Sequence, residues 1–166
     1  INGTAYVGMG VNSVSLTDFY KYDANLDAWT RLADFPGTGF VGRLFSIGGK
    51  AYACSGKQLW RFDPLANSWV QLSDLPGMLY NPSVVVAGTV AYLAGGEQPG
   101  PVIVDEFWEF RPSTGLWIRR PDLPTSGMNN AVGFTLNGKI YLYSGYSMES
   151  GIWSPLESFL IYNPNP

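Results

Sequence analysis

A chain of 166 residues, 46% of them hydrophobic, is long enough to bury a sizeable core. Ten Lys and Arg against thirteen Asp and Glu give a net charge of −3 with the basic residues scattered, which excludes the electrostatic footprint of a protein that binds nucleic acid or an anionic membrane. No window approaches the roughly 18 uninterrupted apolar residues of a spanning helix, so no membrane insertion is expected, and the single cysteine, Cys54, excludes an internal disulfide framework.

In chain order, Asn2-Gly3 is a hairpin turn and the run that ends at Gly10 is a strand. Next come "DFYKYD" at 18–23, a polar turn, and a strand led by Trp29 that runs towards Pro36. The apolar run "VGRLFSI" at 41–47 follows, then Gly48-Gly49 and "KAYAC" at 50–54. After these the same succession returns: "QLWRFD" at 58–63, a polar turn, Trp69 and Pro76. "NPSVVVA" at 81–87 opens a third round, with "VAYLA" at 90–94, "EFWEF" at 106–110, Trp117 and Pro124. "NAVGFTL" at 130–136 opens a fourth, with "KIYLY" at 139–143 and "FLIYN" at 159–163. The runs are short and rich in β-branched and aromatic residues, and Gly and Pro interrupt any helical period.

The repetition is fixed in register. Trp29, Trp69 and Trp117 each stand seven residues after an aromatic (Tyr22, Phe62, Phe110) and seven before a proline. Tyr6, Tyr52, Tyr92 and Tyr141 each stand four residues before a glycine, at periods of 46, 40 and 49. Such periods mean a solenoid or a propeller, and four strands per period, here a to d, mean antiparallel blades. The expected fold is all-β, an open or partial propeller of about 3.5 blades at 1–37, 38–77, 78–124 and 125–166. Its strands run b-c-d, a-b-c-d, a-b-c-d, a-b-c. The tryptophans and strand-b tyrosines are expected between blades, and Asn2-Gly3-Thr4, although it fits the glycosylation pattern, is expected to be only a turn.

Strand b ending in Gly95-Gly96 after Tyr92, the turn Phe62-Asp63-Pro64, the following Trp and the closing Leu75-Pro76 resemble the kelch repeat, over nearly the whole chain. Met9, Ser55 and Ser144 replace the first glycine of the doublet elsewhere, and Arg111 and Asn163 replace the turn Asp. The resemblance implies a propeller of six to eight blades. The chain is therefore expected to be a segment of a longer propeller, completed by its remainder or by other subunits. With so little cysteine and lysine, the resemblance leans towards a secreted or cell-surface bacterial protein.

Chemistry is constrained by what is missing. Without histidine no imidazole metal site and no Ser-His-Asp or Cys-His arrangement can form within the chain, and no cofactor is expected. The carboxylates Asp105, Glu106 and Glu109 cluster on or beside strand c, and Cys54 is expected to be a buried hydrophobe. The loops are more informative. From the last glycine of strand b to the aromatic of strand c the spacing is 6 residues at Gly56–Phe62, 12 at Gly10–Tyr22, 14 at Gly96–Phe110 and 17 at Gly145–Tyr162. Variation confined to one face of a rigid scaffold is where binding is usually placed. Candidates on the b-to-c loops are Asn12, Ser13, Glu97, Gln98, Tyr146, Met148, Glu149 and Trp153; on the d-to-a segments they are Phe40, Arg43, Tyr80, Asn81, Met128, Asn129 and Asn130.

Two functions fit. One is a noncatalytic interaction module whose loop face binds a protein or a glycan, as the kelch resemblance implies for many members. The other is a sugar-acid mutarotase or epimerase of the bacterial kelch type, for which Arg43 is the one channel-proximal ionic residue; its counterparts are Ser83 and Ala131.

Overall fold

The computed structural model describes residues 1–38, 41–100, 102–149 and 151–164. Among them there is no helix, and every strand pairing is antiparallel. The chain divides into two compact units, Ile1–Asp74 and Leu75–Pro166.

The first unit contains β1 (Ala5–Gly8), β2 (Val11–Asn12), β3 (Val14–Ser15), β4 (Phe19–Asp23), β5 (Ala28–Arg31), β6 (Val41–Ile47), β7 (Lys50–Ser55), β8 (Gln58–Asp63) and β9 (Ser68–Gln71). They form a three-stranded sheet β1-β4-β5, a four-stranded sheet β6-β7-β8-β9 and the ribbon β2-β3. The turns are those the residues ask for. Asn2 and Gly3 have φ of 49° and 79°, and Gly48 and Gly49 have 57° and 75°, the doubly left-handed geometry whose twist matches that of the flanking strands. In the outer turns the Asp23 carboxylate accepts from the amides of Asn25 and Leu26, and Asp63 accepts from Leu65.

The two larger sheets of this unit meet through Met9, Phe19, Phe35, Ala51, Ala53 and Phe62, with Trp69 packed against them. Trp69 lies within about 5 Å of Phe19, Phe35 and Phe62, ring centre to ring centre. Its indole donates to the Ala33 carbonyl at 3.1 Å, while the Asn67 side chain accepts from the Ala33 amide at 2.9 Å. Trp29 departs from the expectation that all three repeat tryptophans are core. It is 55% exposed, with its ring 4.9 Å from that of Tyr22. Trp69, by contrast, packs on residues of the β1-β4-β5 sheet, which precedes its own.

The second unit contains β10 (Ser83–Ala87), β11 (Val90–Ala94), β12 (Glu97–Gln98), β13 (Val102–Ile103), β14 (Phe107–Arg111), β15 (Leu116–Arg120), β16 (Val132–Leu136), β17 (Lys139–Tyr143), β18 (Tyr146–Glu149), β19 (Ile152–Pro155) and β20 (Phe159–Tyr162). Its sheets are β10-β11-β14-β15 and β16-β17-β20, with ribbons β12-β13 and β18-β19. The seam holds Val85, Tyr92, Phe107, Leu123, Met128 and Ile140 among others. The sheets approach so closely that a Cβ added at Gly133 would lie 2.2 Å from a Val85 methyl, and Thr135 donates its hydroxyl hydrogen to the Val86 carbonyl. Where Arg111 replaces the turn Asp, backbone bonds from Thr114 and Gly115 to the Arg111 carbonyl close the turn instead.

The strands of the larger sheets reproduce the expected order: b-c-d and a-b-c-d in the first unit, a-b-c-d and a-b-c in the second. The three longer b-to-c connections are not plain loops but contain two-stranded ribbons.

Candidate functional site

Unit two gathers six of the expected loop-face residues around one cleft. Two motifs prepare it. Residues 80–81 lead into β10 and residues 129–130 lead towards β16, and both pairs carry an asparagine in the left-handed region, Asn81 at φ 51° and Asn130 at 56°. Asparagine is among the few side chains that tolerate this conformation. Each pair is then clamped by a ribbon. Tyr80 and Glu97 exchange two backbone hydrogen bonds of 2.8 Å, Asn129 and Tyr146 exchange bonds of 2.9 and 2.8 Å, and the Asn130 amide donates to the Asn81 carbonyl at 3.1 Å. A position such as Gly145 has to be glycine here: its φ is 110°, and an added Cβ would come within 2.7 Å of the Asn129 carbonyl oxygen.

The result is an open cleft of about 360 Å³ lined by Asn81, Glu97, Asn129, Asn130, Tyr146 and Trp153. Trp153 and Tyr146 keep 47% and 48% of their surface. Beneath them Asn129 is buried; its amide donates to the Glu97 carboxylate at 3.4 Å, while its Oδ1 has no partner among the described residues. Among the described residues the lining carries one carboxylate and no cationic side chain. Aromatic faces beside amides and a carboxylate suit an uncharged, hydroxyl-rich ligand, whose ring stacks while its hydroxyls donate and accept.

The other candidates are not among the described residues that line this cleft. Met128 is fully buried in the seam of the second unit, because its backbone is what the ribbon grips: Gly96 donates to its carbonyl and its amide donates to Val104. A side chain packed there cannot reach a ligand, so its place among the loop-face candidates is corrected to the core. The Tyr80 hydroxyl donates to the Met78 sulfur at 3.2 Å, and Gln98 lies beside Gly77. Met148 is half-buried in β18, and Glu149 ends that strand. Asn12 and Ser13 are exposed on the β2-β3 ribbon of the first unit. Arg43, also in the first unit, is half-buried in β6; it donates to the Gly42 carbonyl, and burial depresses its pKa. Phe40 falls outside the described residues.

Cys54 and Glu109 are among the titratable groups set by their surroundings. Cys54 is buried in β7, and burial pushes its thiol up to about 12, which leaves it protonated and unreactive. Glu109 in β14 is buried with Arg120 and Arg111 against its carboxylate. Burial alone would raise its pKa, but hydrogen bonds from the two guanidinium groups outweigh it and hold the pKa below the ordinary value. Spacing could have revealed this network: Phe107 pairs with Arg120 across the hairpin, and Glu109 is two residues along the same face.

No protein-family model and no curated protein matches the chain. A solved structure entitled "Structure of YjhT" matches with a TM-score of 0.84 at 19% identity, covering 98% of this chain and 66% of that one. The likeness carries the fold: an all-β chain of antiparallel four-stranded sheets, an open or partial propeller. The chain spans just under two thirds of the length of that neighbour.

Proposed function

We propose that the chain is a kelch-type, noncatalytic binding module that holds an uncharged glycan in the cleft of its second unit. The observation that supports this most is the half-exposed pair Trp153 and Tyr146 standing beside Glu97, Asn129, Asn81 and Asn130. Stacking on the aromatics supplies affinity, and the amides and carboxylate supply orientation. The absence of a cation from the lining speaks for neutral sugars over sugar acids, which a lone carboxylate repels. For the same reason the mutarotase reading gains no support from this cleft. A secreted or cell-surface location, where glycans are met, is part of the proposal.

A glycan array followed by titration of the best neutral oligosaccharide tests it. Binding that falls at least tenfold with Trp153→Ala, and with Glu97→Gln by a smaller factor, supports the reading. Binding that survives Trp153→Ala unchanged, a preference for sugar acids, or sugar anomerisation above background overturns it.

A further inference from the structure

The second unit holds one completed cluster of aromatic ring, carboxylate and cation, and one that lacks the cation. In the completed cluster the Arg119 guanidinium carbon lies 5.5 Å from the centre of the Trp108 ring, close enough for a cation–π attraction. The Trp108 indole donates to Glu106 at 2.9 Å, and Arg119 also donates to Glu106, at 3.5 Å. Glu109 and Asp122 of the same unit have arginine partners too. Glu97 does not: among the described residues its carboxylate accepts only the 3.4 Å contact from Asn129.

The aromatic side of the incomplete cluster comes from β18 and β19. Tyr146 pairs with Pro155 and Met148 with Trp153, so Tyr146 and Trp153 stand on one face of the ribbon as diagonal neighbours. Both are about half exposed, and neither ring has a cation over it among the described residues. In the same cleft the buried Asn129 has an Oδ1 without a donor, and a buried acceptor left so is costly unless something supplies a hydrogen. Among its described residues the cleft thus combines acceptors, π faces and a half-buried carboxylate with no counter-charge.

We propose that one residue of the bound glycan is an amino sugar with a free, protonated amine, and that Glu97, Asn129, Tyr146 and Trp153 form its ammonium subsite. This rests on the glycan reading and narrows it, since the remainder of the ligand stays uncharged. A primary ammonium carries three donors and no acceptor, the complement of the Glu97 carboxylate and the Asn129 Oδ1. Its charge gives Glu97 the partner that Arg119 gives Glu106, and it is drawn to the aromatic faces as Arg119 is to Trp108. A hydroxyl in its place would satisfy Asn129 but leave the half-buried Glu97 without a counter-charge.

Calorimetry on the whole chain with cellobiose, its amino counterpart chitobiose and the N-acetylated form of chitobiose tests this. At low salt and about pH 6, where the amines are protonated, chitobiose should bind roughly tenfold tighter than cellobiose or better. N-acetylation removes the charge and should abolish the advantage, and added salt should shrink it. Glu97→Gln should bring the affinities for chitobiose and cellobiose close together. Glu97 is half-buried with one long side-chain contact, so the variant is expected to fold, and the acetylation and salt arms need no variant. Equal binding of chitobiose and cellobiose, or an advantage that survives acetylation or Glu97→Gln, overturns the ammonium subsite and leaves the neutral-glycan reading standing. If none of the three sugars binds, the glycan reading falls and the subsite falls with it.

Discussion

The Trp69 indole and the Ala33 carbonyl, 36 residues apart, are joined by a hydrogen bond of 3.1 Å that ties β9 to the segment following β5. With the neighbouring contact from Asn67 to the Ala33 amide, it satisfies both backbone groups of one residue. Trp69→Ala should therefore cost about 3–5 kcal/mol, since it removes a ring packed on three phenylalanines and leaves a carbonyl without its donor. Trp29→Ala, at the equivalent place in β5 but exposed, should stay within about 0.5 kcal/mol. Urea melts of the two variants side by side check this, and equal losses would mean that the two tryptophans are equivalent.

Glu109 sets an acid limit on stability. Its folded pKa lies below the unfolded value, so its contribution is complete above the ordinary carboxylate range and is lost as the pH falls through the folded value, that is below about pH 4.3. Glu109→Gln should cost about 1.5–3 kcal/mol at pH 7 through weakened charge-assisted hydrogen bonds, and its urea midpoint should fall less than that of the wild type between pH 5 and pH 3. Parallel pH profiles for the two proteins would place the acid sensitivity elsewhere.

Much of this architecture was legible in the sequence because it is local chemistry repeated. Asn2-Gly3, Gly48-Gly49 and Asn137-Gly138 can hardly be anything but left-handed hairpin turns, and once they are placed the strands between them fall into register. What escaped depends on neighbours far along the chain. Met128 looks like a loop residue until the β12-β13 ribbon folds back and takes its backbone. Trp29 and Trp69 have the same spacing, yet Trp69 packs on Phe19, Phe35 and Phe62 while Trp29 is exposed beside Tyr22. The ribbons themselves have little alternation to read, since pairs such as Val11-Asn12 with Val14-Ser15 are too short to show a period.

Asn81 tests whether the cleft's backbone rests on left-handed asparagine. Asn81→Ala forces a Cβ-branchless but chiral residue into φ 51° without the local hydrogen bonding that asparagine can offer, and should cost about 1–2 kcal/mol. Asn81→Gly should be close to neutral in stability, because glycine accepts the conformation but has more freedom to lose on folding. Thermal unfolding of both variants decides the matter; an alanine variant as stable as the glycine one would show that φ at this position relaxes at no cost.

Cys54 gives a readout of opening in the first unit. Its side chain is 1% exposed, and burial holds its pKa at about 12, so at pH 8 the native thiol is both inaccessible and almost entirely protonated. A disulfide reagent in excess should therefore label it only as fast as β7 comes away from its neighbours β6 and β8. Labelling in native buffer should be slower than in urea by orders of magnitude. Trp69→Ala, which loosens the seam against which β7 packs, should speed it by about 10²-fold or more if the opening that exposes the thiol is the global one, since 3 kcal/mol corresponds to roughly that factor in the open population. Prompt stoichiometric labelling of the native wild type would contradict the burial of Cys54, and a rate unaffected by Trp69→Ala would show that the thiol is reached by a local opening that leaves the Trp69 seam closed.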